Sequence, residues 1–353
     1  MSSPRARRVG IKDVAAAAGV SMSTVSHALN GRGRVDPATR QRISEVADRL
    51  GYRPNVNAVN LLRERSKTLA LTVSSPEASP LSLFDVEFLI RLANAATAAA
   101  LDAGYALVIT PYRGAETFDG IAIDGGIVID PEMNDPLIAA LDKRGIPLVT
   151  SGRDLARADV PSVDNDLVGG LAAILDHLHD RGAARVALVT TSQRYSYGVD
   201  VRAAYETWCA GHGMAPLVHE VGARLTETAG YEAAMKALGG PDRADALLTA
   251  FDCHAAGAVM AARELGLAVP ADVMLATATD SENVRSCSPP ITALDLHPER
   301  NGRQAIALLI ERIEGDAAPA TTAVTMPYDL VERASTARAA IAPRSSAVGA
   351  PAP

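Results

Sequence analysis

Aromatic side chains are scarce in this chain: 4% of its 353 residues, with a single tryptophan. Hydrophobic residues still make up 48%, so the core must be built from Ala, Val, Leu and Ile, a composition that suits packed helices and parallel strands. Cysteine is almost missing. Cys209, Cys253 and Cys287 form no CxxC pair and no Cys/His cluster, which argues against a zinc site, and an odd, scattered set fits a reducing compartment. No apolar run approaches the roughly 18 residues of a membrane span. The N-terminus, MSSPRARRVG, is basic without an apolar stretch behind it, so no signal peptide is read there and a soluble, cytoplasmic protein is expected. Also lacking are a P-loop, a GxSxG, an HExxH and a GxGxxG that opens a helix. The adjacent Asp252, Cys253 and His254 would point in different directions on a helix and cannot act as a triad. No catalysis, cofactor or metal is expected.

What is present is an uneven charge. The net charge of -7 conceals thirteen Lys and Arg against five Asp and Glu in residues 1–67, and twenty-one against thirty-six in the remainder. A basic head on an acidic body points to a polyanionic partner at one end only.

The head carries a motif. In IKDVAAAAGVSMSTVSHAL, Ile11, Val14, Ala15 and Ala18 recur at helical spacing. Gly19 can end that helix in a left-handed conformation, and Ser21 can cap the next, from Met22 to about Leu29. Two short helices joined by a tight turn make a helix-turn-helix. A third helix follows, with Asp36 as cap, Pro37 at its first position, and Ile43, Val46, Ala47 and Leu50 as its buried stripe. The second helix leaves Met22, Ser23 and His27 exposed, and its N-terminal end is the part that faces base edges in the major groove. Thr24 and Ser26 suit phosphate or capping roles. Arg32, Arg34, Arg40 and Arg53 are candidate phosphate contacts, which supply salt-dependent affinity rather than sequence choice.

The stretch IKDVAAAAGVSMSTVSHALNGRGRVDPATRQRISEVADRLGYRPN resembles the head of the lactose-repressor (LacI) family, with DVA, AGVS, TVS and LGYRPN in register. The resemblance puts Met22, Ser23 and His27 on the base-reading positions; the last is often Arg, and histidine is a weaker, pH-sensitive donor. It implies a hinge helix that forms on DNA, capped by Asn55 and running from about Val56 to Leu62. Ala58 and Leu61 match its pattern, and Leu61 is the candidate wedge into the minor groove of a kinked duplex. Val59 and Leu62 depart from the usual residues, and Arg63 can supply a charge one position later.

Beyond Thr68, short apolar runs alternate with Ala-rich helical patterns such as Phe88–Ala103 and Gly169–Arg181. Candidate strands are Leu69–Val73, Ala106–Thr110, Gly126–Ile129, Leu148–Thr150, Val186–Thr190, Ala246–Thr249 and Val273–Thr277. Such alternation gives parallel sheets covered on both faces, and there are too many strands for one compact sheet. The expected fold is an all-α helix-turn-helix head plus an α/β, periplasmic-binding-protein-like core of two Rossmann-like subdomains, which the family resemblance also implies. The expected divisions are 1–54 head, 55–67 hinge and linker, 68–163 with 295–325, 164–294 with 326–340, and a disordered tail at 341–353. A ligand would sit between the two subdomains, outside the carboxyl ends of the strands.

By resemblance, Arg202 stands for the family's ligand-gripping arginine and Asp252 for the acid of an Asn-Asp pair. Phe251 replaces the Asn and offers a stacking ring. Asp280 follows the strand that leads to a crossover. Asp164 and Asn165 match a turn string and are read as structural. The segment between Pro111 and Ile123 is too short for the usual helix, and the loop SSPEASPLSLFD can lie over the cleft. Trp208 is read as core. The resemblance implies a homodimer that binds a palindromic operator in double-stranded DNA and senses a small effector, by analogy a sugar or derivative. The rivals are an activator of the same family, a solute-binding protein and, least supported, an enzyme.

Overall fold

The computed structural model describes residues 9–29, 33–53, 65–74, 86–191, 195–222, 225–315 and 323–338. The chain divides into two units, Met1–Lys67 and Thr68–Pro353. The expected hinge (Asn55, Ala58, Leu61), Arg32, residues 75–85 of the loop expected over the cleft and the 341–353 tail lie outside the described residues.

In the first unit, α1 (Ile11–Ala18), α2 (Met22–Leu29) and α3 (Pro37–Arg49) close over a small aliphatic core. Val14, Ala15, Ala18, Val25, Ala28, Ile43, Val46 and Ala47 are buried together. Gly19 ends α1 at φ 67°, a conformation open to glycine at little cost. Asp36 caps α3 by accepting from the amides of Ala38 at 3.0 Å and Thr39 at 3.1 Å.

The second unit holds two sheets. The first lobe contains β1 (Thr68–Val73), α4 (Glu87–Asp102), β2 (Ala106–Ile109), β3 (Gly125–Ile129), α5 (Pro136–Lys143), β4 (Leu148–Ser151) and β5 (Ser162–Asn165). The second contains α6 (Leu167–Asp180), β6 (Val186–Thr190), α7 (Ser196–Gly211), β7 (Leu217–Glu220), α8 (Glu227–Leu238), β8 (Ala246–Thr249), α9 (Asp252–Glu264), β9 (Met274–Thr277), α10 (Glu282–Ser286) and β10 (Thr292–Asp295). The chain then returns to the first lobe for α11 (Pro298–Glu314) and β11 (Ala323–Met326), and ends in the second with β12 (Asp329–Val331). The sheet orders are β11-β5-β4-β3-β1-β2 and β12-β10-β9-β8-β6-β7. Every pairing is parallel except β10 with β12. No helix among the described residues is long and apolar enough to cross a membrane.

The chain therefore crosses between lobes three times, after β5, after β10 and after β11, and each crossing is tied to the other two. Asn165 Nδ2 donates to the Leu296 carbonyl at 2.8 Å. The Asp166 amide donates to the Met326 carbonyl at 3.0 Å. His297 Nε2 lies 3.2 Å from an Asp329 carboxylate oxygen. The crossings fall one or two residues beyond the divisions read at 163, 294 and 325.

Behind each sheet, one helix pair packs backbone to backbone. A Cβ on Gly302 of α11 would run into the Leu92 carbonyl of α4, and one on Gly257 of α9 would run into the Glu227 carbonyl of α8. No helix forms between β2 and β3, where the chain makes turns and an isolated bridge from Arg113 to Ala115.

Candidate functional site

On the head, α2 presents Met22, Ser23 and His27 to solvent, with Met22 47% exposed although it is apolar. Ser21 starts the helix: its Oγ accepts from the Thr24 amide at 3.1 Å and lies 2.7 Å from Ser23 Oγ and 2.8 Å from Thr24 Oγ1. The hydroxyls of Ser21, Ser23 and Thr24 thus form one cluster at the helix N-terminus. Thr24, Ser26 and Arg40 are half-buried, while Arg34 and Arg53 are exposed. Arg53 makes only a loose 3.7 Å pair with Asp48. Gly33, at φ 67°, lies so close to the His27 ring that a Cβ would stand 2.9 Å from Nδ1.

In the second unit a cleft open to solvent lies between the lobes, lined by residues of both. Its walls come from the carboxyl ends of strands in both sheets, as expected for open parallel sheets. Asp130 follows β3, Ser151 ends β4 and Gly152 follows it, and Asp164 and Asn165 end β5. Facing them are Tyr195 and Tyr197 at the start of α7, Phe251 after β8 and Thr279 after β9. The Tyr197 and Phe251 rings lie 5.2 Å apart, and Tyr197 Oη donates to the Ala250 carbonyl at 2.5 Å.

Asp130 is held at φ 49°, with its amide donating to the Ser151 carbonyl at 2.7 Å. Burial, reinforced by the nearby Asp164 carboxylate, pushes its carboxyl up to about 7. Burial also raises Asp164, against the opposing pull of the Asn165 amide and Arg153. The cleft thus contains a carboxyl group that changes charge near neutral pH.

The sequence-predicted effector residues divide. Phe251 lines the cleft. Arg202 does not: its guanidinium turns outward to Glu206 at 2.7 Å and to Glu220 on the edge strand. On α7 it is Asp200, two residues earlier, that meets the opposite lobe, through Arg153. Asp252 begins α9, where its buried amide donates to Thr279 Oγ1 at 3.0 Å, and it is not a lining residue. Asp280 is enclosed by Arg285 and Arg333, each at 2.9 Å, so its charge is spent inside its own lobe and its neighbour Thr279 faces the cleft instead. Asp164 and Asn165, read as structural, both line the cleft, Asn165 while also tying two crossings. Trp208 is core, its Nε1 donating to Asp176 at 2.6 Å. Asp130, Ser151, Tyr195, Tyr197 and Thr279 were not foreseen. The signal available for three of them was position: Asp130, Ser151 and Thr279 are polar residues at or just past the end of a buried apolar strand.

Comparisons with known proteins agree with this geometry. Residues 10–55 match the bacterial regulatory proteins of the lacI family, and residues 175–336 match the periplasmic binding protein-like domain. The regulator CelR of Thermobifida fusca is 31% identical over 88% of this chain and 94% of its own. The repressor PurR of Erwinia tasmaniensis is 30% identical over 93% and 96%. Among solved structures, the CelR–cellobiose complex aligns with a TM-score of 0.69 at 28% identity, covering 93% of this chain and all of that one. The lac repressor dimer bound to operator and the anti-inducer ONPF aligns with a TM-score of 0.80, covering 94% and 99%, and at 22% identity it speaks for the fold alone. With a helix-turn-helix head, a two-lobed core and relatives matched from end to end, the chain belongs to the LacI family of bacterial transcriptional regulators.

Proposed function

We propose that this regulator is a cytoplasmic repressor: a homodimer that grips a two-fold symmetric operator with its paired heads and changes its grip when a sugar or sugar derivative fills the cleft. The observation that carries the effector reading is the make-up of the cleft, with Tyr195, Tyr197 and Phe251 facing Asp130, Ser151 and Asp164. Rings stack on the apolar face of a pyranose, while carboxylates and hydroxyls take its hydroxyl protons. The solved CelR complex holds cellobiose, and the PurR relatives are named repressors.

On the operator, Met22, Ser23 and His27 read base edges. Thr24, Ser26, Arg32, Arg34, Arg40 and Arg53 hold phosphates, and Asn55, Ala58 and Leu61 form the minor-groove hinge. Closure of the two lobes around the effector alters the spacing of the heads, a population shift in which effector and operator affinities are reciprocally coupled.

The test is a thermal-shift screen of mono- and disaccharides, with operator release or tightening as the second readout. A sugar that raises the melting temperature and changes operator affinity supports the reading. Sugar binding that leaves operator affinity unchanged would overturn it. On the DNA side, replacing Met22 or His27 should alter base preference by on the order of 1–3 kcal/mol at one base pair. Arg34→Ala should weaken all sequences alike and lower the salt slope by about 0.9; an unchanged slope would remove Arg34 from the phosphate contacts.

A further inference from the structure

We propose that Arg153 is an interlobe latch, a positioning residue that ties the two lobes together before any ligand enters. It sits just after β4 in the first lobe, yet both of its Nη atoms reach Asp200 on α7 in the second, at 2.5 and 2.6 Å. This two-pronged geometry is the strong form of the arginine–carboxylate pair. The same Nη1 also reaches Asp164, in its own lobe, at 3.1 Å. A guanidinium released by Asp200 therefore keeps a partner in its own lobe. The pair is shared unequally: both prongs go to the opposite lobe, and only the longer contact stays at home.

The latch does not act alone. Glu87, at the start of α4, accepts from the Glu282 amide at 2.7 Å and from Arg285 at 3.1 Å across the lobes. An isolated bridge joins Glu132 to Tyr195. Each link adjoins or includes a lining residue: Gly152 beside Arg153, Val86 and Phe88 beside Glu87, and Tyr195 itself. Arg153 is distinguished by its second partner, since Asp164 lines the cleft. A ligand hydroxyl that engages Asp164 draws that carboxylate away from the guanidinium and leaves Arg153 more fully to Asp200. One side chain thereby couples occupancy to closure. This consequence rests on the effector reading above, but the latch itself does not.

The test is hydrogen–deuterium exchange on the full chain without DNA or sugar, comparing wild type with Arg153→Gln, Asp200→Asn, the double variant, and Arg202→Gln as a control on the outer side of α7. Each single variant should speed exchange by at least about fivefold in both 148–153 and 195–201, one segment from each lobe. The double should exchange no faster than the singles, and the control should match wild type. Arg153→Lys, which keeps the charge and loses the two-pronged fit, should fall between. Raising salt to about 1 M, where the screening length is about 3 Å, should move wild type toward the variants. Faster exchange confined to the substituted lobe, single effects that add in the double, or no change in either segment would each overturn the latch. Since neither operator nor sugar is present, such a failure leaves the regulatory reading standing, and an absence of sugar-dependent operator release would leave the latch standing.

Discussion

The two walls of the cleft are made of different chemistry. The first lobe supplies the cleft's acids, Asp130 and Asp164, with a single ring, Phe88, and the second supplies three rings, Tyr195, Tyr197 and Phe251. The lobes share a fold plan, with parallel strands whose carboxyl ends point into the same gap. The difference therefore lies not in the scaffold but in the residue at or after each strand end. The titratable acids of the cleft thus sit on one lobe and most of its rings on the other.

If the scaffolds are equivalent, equal damage behind each sheet should cost the same. Gly302→Ala and Gly257→Ala each drive a methyl group into a carbonyl of the facing helix. Either should destabilise the second unit by about 3 kcal/mol, at the upper end for an overpacked core, as read by denaturant unfolding. A marked inequality would show that one helix pair can slide apart where the other cannot.

Comparable in size is the pH response of the acidic wall. The Asp130 carboxyl titrates near 7 in the folded protein and near 4 in an unfolded chain. Between those values the folded state binds more protons, so its contribution to stability falls as pH rises from about 4 to about 7 and is level above that. Asp130→Asn removes this fall. The variant should gain on wild type in thermal melts as pH rises, with the gain complete above 7. Parallel melting curves for the two proteins would place Asp130 in contact with a countercharge.

The same contrast explains what the sequence disclosed. The head was legible almost residue by residue, because its signals are local: Gly19 and Ser21 mark a turn and a cap, and Asp36-Pro37 opens a helix, all set by neighbours within four positions. Seven strands of the core were equally visible as apolar runs. β5, β7, β10 and the two late strands were not, since SVDN, LVHE and the edge strands AVTM and DLV are short or mixed in polarity and owe their state to partners far along the chain. The effector residues were least legible. Arg202 and Asp200 lie on one helix two residues apart, so a rotation of about 200° decides which meets the opposite lobe. Arg153 was not singled out and Asp164 was read only as part of a turn string, and both acquire their meaning only when the other lobe is in place.

The smallest effect tests the head, where short helices depend on their caps as well as on burial. Its core rests on eight small or medium side chains, so a lost cap should be felt through the whole helix it starts. Ser21→Ala removes the acceptor for the Thr24 amide and should cost α2 about 1 kcal/mol, seen as roughly fivefold faster amide exchange in 24–29 with the second unit unchanged. Asp36 offers the titratable version of the same experiment. Hydrogen bonds from the Thr39 side chain and amide hold its carboxyl below the usual carboxylate range. Its cap is therefore present above the unfolded value and lost as pH falls through the lower, folded one. Wild type should lose protection at the start of α3 on acidification, while Asp36→Asn, which caps without titrating, should not. Equal loss in both would mean that α3 is held by Ile43, Val46 and Ala47 alone, and that the head, like the lobes, is governed by its core.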